Sequence, residues 1–265
     1  MTTPASPKIA VVIGAAGADN MGQAIASRFI ADGMTVIAAG RNGDELRAFA
    51  DRSGAEYGVA DVTSEDDLGA LFGEIAERHG GVDVAVNATG SGLLVPFLDM
   101  TAEQLEDITR LQFIGSVLFY QAALRVMRDG GNLIQISSAT ATIMLEDHAA
   151  YMGTKAGADH VIRTIANEFG TRGIRANSIS PGFTDTPMTA RAAANPALVA
   201  AFEKEYPLGR VNTKEDIANA ASWIVSDECF MTGQNFQVNG GLTLRRNPRN
   251  AELAAAVRAA RAAAK

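Results

Sequence analysis

Short apolar runs and amphipathic stretches alternate along the 265-residue chain. The first run, KIAVVI at residues 8–13, is continuous and rich in β-branched side chains, which is typical of a strand buried on both faces. The stretch MGQAIASRFIADG then carries apolar residues at helical spacing and closes on Gly33, a residue type that commonly follows a helix end. The chain therefore begins with a strand followed by a helix.

The same alternation continues along most of the chain. Further short apolar runs predict strands at MTVIAA, AEYGVA, VDVAVN, GNLIQIS, IRANSIS and GQNFQVNGG. Amphipathic stretches predict helices at about residues 43–52, 63–80, 101–127, 151–169 and 213–227. The second of these helices opens with Thr63 or Ser64 as its cap, and its first turn is acidic, which suits the helix dipole.

Strand–helix alternation indicates an α/β fold, a doubly wound, Rossmann-like parallel sheet with helices on both faces. No internal linker or repeat interrupts the alternation. The pattern therefore predicts a single domain over residues 1–265, with a basic, alanine-rich tail at about residues 245–265. Ligands of such folds bind at the carboxyl ends of the strands, so the loops that follow strands are the places to look for chemistry.

The composition excludes several classes of protein. The net charge is −7, and an acidic surface argues against nucleic acid as the main partner. Cys229 is the only cysteine, so no intrachain disulfide can form. The first residues, MTTPASPK, lack the apolar run of a signal peptide, and no stretch approaches the roughly 18 apolar residues of a membrane span. We therefore expect a soluble cytoplasmic protein that binds neither nucleic acid nor a membrane.

The loop after the first strand, GAAGADNMGQAIA, is rich in glycine. Gly14, Gly17 and Gly22 lie where glycine permits a tight turn and a close approach of the backbone to a pyrophosphate. Asn20 and Met21 open the following helix, whose free N–H groups and positive dipole favour an anion. The spacing differs from G-x-G-x-x-G because Gly14 and Gly22 are eight residues apart, and a plain turn is the alternative interpretation.

The second predicted strand ends in AAGRN, where a carboxylate would bind the ribose 2′-hydroxyl of NAD. Gly40 stands in that place, and Arg41 follows. A guanidinium suits a 2′-phosphate through forked, charge-assisted hydrogen bonds, so the pair predicts that NADP(H) is favoured over NAD(H). A solvated surface arginine is the alternative.

Four features in chain order resemble the short-chain dehydrogenase/reductase family of the classical type. They are the glycine-rich loop, DVAVNATG at residues 83–90, ISSATATIMLEDHAAYMGTK at 136–155 and NSISPGFTDTPM at 177–188. The likeness covers about residues 8–243. It implies one dinucleotide-binding and catalytic domain, an oxidoreductase activity on a small carbonyl or alcohol substrate, and a homotetramer.

The resemblance also implies roles for particular residues. Ser138, Tyr151 and Lys155 match the family's catalytic serine, tyrosine and lysine, and Gln112 stands where the family has a catalytic asparagine. Together with the glycine loop and Arg41, the candidate cofactor-binding residues are Gly14, Asn20, Met21, Gly22, Arg41, Asp61, Val62, Asn87, Ala88, Gly90, Tyr151, Lys155, Pro181, Gly182, Thr184 and Thr186.

Two features depart from the family pattern. The glycine loop is longer than usual and has Ile13 in place of threonine, which is similar to the enoyl-reductase branch, although that branch spaces its tyrosine and lysine more widely. Gln112 keeps the amide of the asparagine but adds a methylene, and a shift of about 1 Å in a positioning group can cost on the order of a hundredfold in rate. Either Gln112 holds the lysine-linked water from a different place, or the proton relay is altered.

Tyr151 and Lys155 are four residues apart, on one face of a predicted helix. A phenol is a poor base at neutral pH, but a nearby ammonium and an oxidised nicotinamide favour its ionised form. Tyr151 then exchanges a proton with the substrate oxygen, Ser138 stabilises the negative charge on that oxygen, and the cofactor exchanges hydride with the substrate carbon. No metal is needed. The histidines, which lack the spacing of metal ligands, are His79, His148 and His160. His148 lies just before Tyr151, where it can line the substrate pocket.

These observations predict an oxidoreductase that transfers a hydride between NADP(H) and a secondary alcohol or ketone. Two alternatives remain open. An enoyl reductase is favoured by the long glycine loop, and a catalytically impaired nucleotide-binding scaffold is favoured by Gln112. We expect the substrate pocket at residues 139–148, 93–97 and the segment after Pro181, with TARAAANPALVAAFEKEYPLGR as a mobile lid. These stretches are mostly apolar, which indicates an apolar or ring-bearing carbonyl compound.

Two further expectations concern assembly and the tail. The long helices at 101–127 and 151–169 resemble those through which family members pair, and we expect a homotetramer. The tail LRRNPRNAELAAAVRAARAAAK is basic, and its alanines favour a helix from Asn250. It is either a solvated helix or a segment that docks on the acidic surface of a neighbouring subunit.

Overall fold

A seven-stranded sheet forms the centre of the computed structural model, which describes residues 6–263. Its strands are β1 (Ile9–Ile13), β2 (Thr35–Gly40), β3 (Glu56–Val59), β4 (Val82–Asn87), β5 (Met127–Ile136), β6 (Arg175–Ile179) and β7 (Asn235–Phe236). Neighbouring strands are all parallel, in the order β3-β2-β1-β4-β5-β6-β7. The predicted Rossmann-like parallel sheet is confirmed.

Helices connect these strands, and one more helix follows the last strand. They are α1 (Met21–Ala31), α2 (Gly43–Ser53), α3 (Glu65–His79), α4 (Ala102–Thr109), α5 (Gly115–Val126), α6 (Ala149–Glu168), α7 (Ala190–Ala193), α8 (Pro196–Glu203), α9 (Lys214–Ile224) and α10 (Asn250–Ala263). Helices α1 and α9 pack on one face of the sheet, and α3, α5 and α6 pack on the other.

Successive strand residues enter two separate cores, because side chains alternate between the faces of a sheet. Val11 packs in one core with Phe72 and Phe119, and its neighbour Val12 packs in the other with Phe29. Both valines are 0% exposed. Helices therefore cover both faces of β1, which explains why its sequence is a continuous apolar run.

The winding of the sheet reverses at β1. Strands β2 and β3 lie on one side of it, and β4 to β7 lie on the other. The connections that follow β1 and β4 therefore diverge, which opens a crevice at the carboxyl ends of these strands. The loops after β2, β5 and β6 reach the same edge, because all the strands are parallel.

The long helical region predicted at about residues 101–127 is confirmed, although it is not a regular α-helix throughout. A π-helical turn at Arg110–Ile114 separates α4 from α5, and α5 ends at Val126. Gly115 begins α5 where a Cβ would lie 3.1 Å from the Val62 Cγ1 atom. The turn therefore packs tightly against the loop after β3, and its extra residue re-aims the side chains that it carries.

Other boundaries differ by a few residues. Helix α6 begins at Ala149 rather than at Tyr151, and β7 contains only two residues at the edge of the sheet. Ser64 is the cap of α3, since its side chain accepts a hydrogen bond from the Asp67 N–H. Thr63 instead donates to Asp61. The segment predicted as a lid, residues 189–210, contains α7 and α8.

The predicted helix in the tail is confirmed as α10. Helix α10 packs against α8 of the same chain, and none of its residues is buried. Within residues 6–263, no helix combines the length and the apolar character needed to cross a membrane. The single domain and the cytoplasmic location stay predictions.

Candidate active site

The glycine loop after β1 is pressed against the chain that follows β4. Gly14 has a φ of +94°, and a Cβ there would lie 2.6 Å from the Ala88 carbonyl carbon. A Cβ on Gly22 would lie 2.6 Å from the Gly14 oxygen. Both positions therefore require glycine, the first for its backbone conformation as well as for space.

Asn20 fixes the end of this loop and the start of α1. Its Oδ1 accepts from the Gln23 N–H at 2.9 Å, and its Nδ2 donates to the Gly14 oxygen at 2.8 Å. The first N–H groups of a helix have no partner inside the helix. Met21 and Gly22 carry such groups and border a cavity, so this end of α1 fits a pyrophosphate.

The cavity has a volume of about 540 Å³ and extends from Arg41, past the glycine loop, to Tyr151 and Lys155. It is bordered by nearly all of the residues that the sequence proposed for cofactor binding and catalysis. The exceptions are Asn87 and Gln112, which lie behind its wall with 0% and 1% exposure. Residues that the sequence did not select also border it, and they include Ala16, Asn42, Thr89, Ser91, Met188 and Thr189.

The end of the cavity near β2 has no room for an acidic side chain. A Cβ on Gly40 would lie 2.6 Å from the Ala16 Cβ, so a side chain that carries a carboxylate does not fit at this position. Arg41 is 75% exposed in its side chain, and its guanidinium lies 3.7 Å from an Asp61 carboxylate oxygen. Burial raises the pKa of Asp61, but hydrogen bonds from Thr63 and the charge of Arg41 bring it below its usual value.

Ser138 and Tyr151 meet at the other end of the cavity. Ser138 follows β5, and its Oγ lies 2.8 Å from the Thr140 Oγ1. Tyr151 projects from the first turn of α6. Burial raises the pKa of the Tyr151 phenol, and a hydrogen bond from Ser138 opposes that rise. In the protein alone, the Tyr151 phenol is thus a weaker acid than a free tyrosine. The lowering of its pKa that the sequence predicted therefore needs the positive charge of the oxidised nicotinamide as well.

Lys155 lies one turn after Tyr151, with its Nζ 5.7 Å from the centre of the phenol ring. The ammonium donates to the carbonyl oxygens of Ile136 at 2.8 Å and Thr89 at 3.4 Å. Burial lowers the pKa of Lys155 to about 8, and the charge of Asp159 opposes this shift. The two carbonyls fix the ammonium beneath the cavity.

Asp159 is a site residue that sequence reasoning missed. It accepts hydrogen bonds from Ser137 at 2.8 Å and Asn235 at 2.6 Å, while burial raises its pKa. The Ser137 hydroxyl, just after the end of β5, links that strand to α6 through this carboxylate. The spacing of four residues between Lys155 and Asp159 was the available signal, because it puts both on one helix face.

Gln112 lies in the π-helical turn and points toward Lys155. Its Nε2 donates to the Thr154 Oγ1 at 3.2 Å, and Thr154 in turn donates to the Tyr151 carbonyl oxygen at 2.9 Å. Its Oε1 is buried and has no partner among the described residues. A Cβ on Gly90 would lie 3.1 Å from this oxygen and 3.5 Å from the Lys155 Nζ. The amide oxygen and the ammonium therefore border the same small space.

Asn87 supports this wall from the end of β4. Its Nδ2 donates to the Ser116 Oγ at 3.0 Å, and its Oδ1 accepts from the N–H and hydroxyl of Thr89. Ser116 itself donates to the Gln112 carbonyl oxygen at 2.7 Å. Asn87 thus connects the Thr89 carbonyl, which holds Lys155, with the π-helical turn.

His148 contacts Tyr151 more closely than the sequence indicated. Its Nδ1 lies 2.8 Å from the Leu93 carbonyl oxygen and therefore carries the proton of this hydrogen bond. Its ring stacks on the phenol with centroids 4.2 Å apart. Burial lowers the pKa of His148, and the hydrogen bond to Leu93 opposes this shift.

Comparisons with known proteins agree with this geometry. A family model described as enoyl-(acyl carrier protein) reductase matches residues 14–243. The chain is 35% identical over 247 residues to 3beta-hydroxysteroid dehydrogenase 1 of Eggerthella lenta. The alignment covers 89% of this chain and 94% of that relative. It is also 30% identical over 244 residues to the 3-oxoacyl-(acyl-carrier-protein) reductase of Aquifex aeolicus. That alignment covers 89% of this chain and 97% of the relative.

A solved structure agrees with the sequence relatives. It is a short-chain type dehydrogenase/reductase from Mycobacterium ulcerans, with a TM-score of 0.87, 29% identity and 91% of each chain covered. The chain belongs to the short-chain dehydrogenase/reductase family. It is accordingly an oxidoreductase, and membership of this family implies that it binds NAD(P). The glycine cradle and the helix N-terminus that faces the cavity fit such a dinucleotide.

Proposed function

We propose that the protein interconverts a secondary alcohol and a ketone, with NADP(H) favoured as its cofactor. The observation that carries the proposal is the meeting of Ser138, Tyr151 and Lys155 at one end of a cavity whose other end has Arg41. The glycine loop lies between the two ends. This arrangement fits a dinucleotide along the cavity with its reactive ring beside the phenol.

The bound cofactor supplies or accepts the hydride. Tyr151 gives a proton to the carbonyl oxygen during reduction and takes one from the alcohol during oxidation. Ser138 donates a hydrogen bond to the same oxygen and stabilises its negative charge. Lys155, held by two carbonyls below the cavity, contributes positive charge near the phenol and a donor for the cofactor ribose.

The preference for NADP(H) rests on Gly40 and Arg41. Gly40 has no space for the acid that would bind a ribose 2′-hydroxyl, and Arg41 offers an exposed guanidinium within 3.7 Å of Asp61. A 2′-phosphate would pair with this guanidinium. Asp61 limits the preference, because its carboxylate competes for Arg41 and repels the phosphate.

The substrate class remains the one indicated by the sequence, an apolar or ring-bearing carbonyl compound. His148 and Leu93 bring two of the expected pocket segments together beside Tyr151. The relatives named for hydroxysteroids and for 3-oxoacyl groups support a hydroxyl or carbonyl at the reacting carbon.

An enoyl reductase is the second candidate. The description of the matching family model and the long glycine loop favour it. The spacing of Tyr151 and Lys155 opposes it. A scaffold without turnover is supported only by Gln112, whose amide nevertheless reaches Thr154 beside the catalytic residues.

The homotetramer and the cytoplasmic location are also part of the proposal. Leu105 of α4 and Ile114 of the π-helical turn are 42% and 40% exposed, which supports an assembly that covers these helices. Light scattering at micromolar concentration is expected to give a tetramer, and a monomer would contradict the proposal.

Oxidation of NADPH against a panel of cyclic ketones and a panel of enoyl thioesters tests the proposed reaction. Turnover of ketones alone supports the proposal. Turnover of enoyl thioesters alone assigns the second candidate. Cofactor binding without turnover of either panel would favour the scaffold.

A further inference from the structure

Ser138 caps a short turn of 3-10 helix at Ala139–Ala141, directly after β5. Its backbone is extended, and its Oγ accepts a hydrogen bond from the Thr140 N–H at 3.2 Å, as the side chain of a helix cap does. The Thr140 Oγ1 lies 2.8 Å from the same oxygen. Thr140 therefore contacts the Ser138 hydroxyl through two polar groups, one of its main chain and one of its side chain.

Thr140 lies behind Ser138 rather than in the cavity. It is 8% exposed and does not border the cavity, although it belongs to the pocket segment expected at residues 139–148. The turn that carries it is fixed at its first residue, since the Ala139 N–H donates to the Pro181 carbonyl oxygen at 2.7 Å. An effect of Thr140 on the reaction would therefore pass through Ser138.

The direction of the hydrogen bond between the two hydroxyls follows from a count of donors and acceptors. A hydroxyl has one proton to donate and two lone pairs that accept. Among residues 6–263, the Thr140 hydroxyl has Ser138 as its only hydrogen-bond partner, so it must donate to Ser138 if its buried proton is to be satisfied. The N–H and the hydroxyl of Thr140 then occupy both lone pairs of the Ser138 Oγ. The proton of Ser138 is left to be donated to another group.

Tyr151 is the group that can accept this proton. Ser138 and Tyr151 border the same cavity, and the hydrogen bond from Ser138 lowers the pKa of the phenol against the effect of burial. A hydrogen bond lowers the pKa of a phenol when it is donated to the phenol oxygen, because it then stabilises the phenolate. A hydroxyl that itself accepts hydrogen bonds is also a stronger donor, since hydrogen bonds in a chain polarise one another. The contacts of Thr140 therefore favour Ser138 as a donor.

We propose that Thr140 is a positioning residue for the reaction, because its two hydrogen bonds commit the Ser138 hydroxyl to donate toward the phenol and the substrate oxygen. Without the Thr140 hydroxyl, one lone pair of the Ser138 Oγ is empty and the Thr140 N–H alone holds this oxygen. Ser138 then rotates more freely and stabilises the negative charge on the substrate oxygen less well. The kinetic part of this inference rests on the proposed function.

A double-mutant cycle tests whether Thr140 acts through Ser138. Thr140→Val removes the hydroxyl and nearly keeps the shape of the side chain, whereas Thr140→Ser keeps the hydroxyl. Ser138→Ala removes the proposed partner, and it is also combined with Thr140→Val. Thr171→Val, at an exposed position in the turn between α6 and β6, is the matched control. The kcat and KM for the best ketone of the panel and the Kd for NADPH are measured for the parent and every variant.

We expect Thr140→Val to lower kcat by about fivefold with little change in the NADPH Kd, because one hydrogen bond in the transition state is weakened. Thr140→Ser and Thr171→Val should stay within about twofold of the parent. In the Ser138→Ala background, Thr140→Val should cause no further loss, because the residue through which it acts is absent. An unchanged kcat in Thr140→Val, an equal loss in Thr140→Ser or a further loss in the Ser138→Ala background would each overturn the proposal.

Titration of the Tyr151 phenol tests the same role without turnover. The titratable side chains that the structure places beside the phenol are His148 and Lys155, and the charge of Asp159 acts on Lys155. Thr140→Val leaves these groups in place. Carbon-13 NMR of the tyrosine rings, with Tyr151→Phe to identify the signal, should show a higher pKa of Tyr151 in Thr140→Val than in the parent. An unchanged pKa overturns the hydrogen-bond chain even if no ketone is reduced, whereas a parent without turnover contradicts only the proposed function.

Discussion

The imidazole of His148 lies face to face with the phenol of Tyr151, with ring centroids 4.2 Å apart and planes inclined by 27°. The bond from His148 Nδ1 to the Leu93 carbonyl oxygen fixes the imidazole from behind. The position of the proposed proton donor is therefore set partly by a residue outside its own helix.

Replacement of His148 separates the stacking from the hydrogen bond. His148→Phe keeps a flat ring against Tyr151, and His148→Ala removes it. We expect His148→Phe to keep kcat within about threefold and His148→Ala to lower it by about tenfold, because the phenol is less firmly placed. Steady-state kinetics with saturating NADPH measure both. Equal losses in the two variants would show that the ring contact does not position Tyr151.

Arg41 carries the predicted preference for the phosphorylated cofactor. NADPH should bind about tenfold tighter than NADH, a difference of about 1.4 kcal/mol, and Arg41→Ala should remove most of it. Fluorescence titration of both cofactors measures the two affinities. Arg47→Ala, which removes an exposed arginine of the neighbouring α2, is the control and should keep the preference. Equal affinities of the parent for both cofactors would refute the prediction.

Gln112→Asn tests whether the site is built around the longer side chain. The Gln112 amide reaches Thr154 at 3.2 Å, and a side chain one methylene shorter loses this bond. We expect kcat to fall by about tenfold with little change in cofactor affinity, because the amide oxygen also moves away from Lys155. The pH profile of kcat should shift as well, which a purely structural role would not cause. Activity equal to or above that of the parent would mean that glutamine is a compromise for asparagine.

The lowered pKa of Lys155 predicts that the free energy of unfolding increases as the pH rises into the alkaline range. Burial lowers its pKa from 10.5 to about 8, so between these values the unfolded chain binds the proton that the folded chain has lost. The free energy of unfolding should therefore increase with pH over this window, by on the order of 3 kcal/mol. Below pH 8 lysine is charged in both states and the cost of its burial is fully present. Urea denaturation of the parent and Lys155→Met from pH 7 to pH 10.5 isolates this contribution, and parallel curves would contradict it.

The sequence was sufficient to predict the sheet and most of its helices. Continuous apolar runs such as the one around Val11 and Val12 arise because both faces of the sheet are covered. This constraint can therefore be read directly from the sequence. The π-helical turn at Arg110–Ile114 was not predictable in the same way. One extra residue in a turn leaves a similar apolar spacing, and the packing of Gly115 against Val62 depends on a loop distant in the sequence.

The candidate site was likewise predictable from the sequence only in part. Motif spacing was enough to select Ser138, Tyr151 and Lys155, which border one cavity. The weakened acidity of the phenol was not predictable, because it depends on burial. The contacts of His148 and of the tail residues Arg245 and Asn247 also depend on tertiary packing. The tail carried only a basic composition and a helical propensity, neither of which identifies the surface that it contacts.

The role of Tyr151 as proton donor is the central claim, and one comparison tests it most directly. NADPH oxidation by the parent and by Tyr151→Phe is measured with the best ketone of the panel, and NADPH binding is titrated for both. We expect kcat of the variant to fall by about a hundredfold or more while its NADPH affinity stays near that of the parent, since only the transferable proton is lost. A variant that keeps a large share of the parent's kcat would contradict the account.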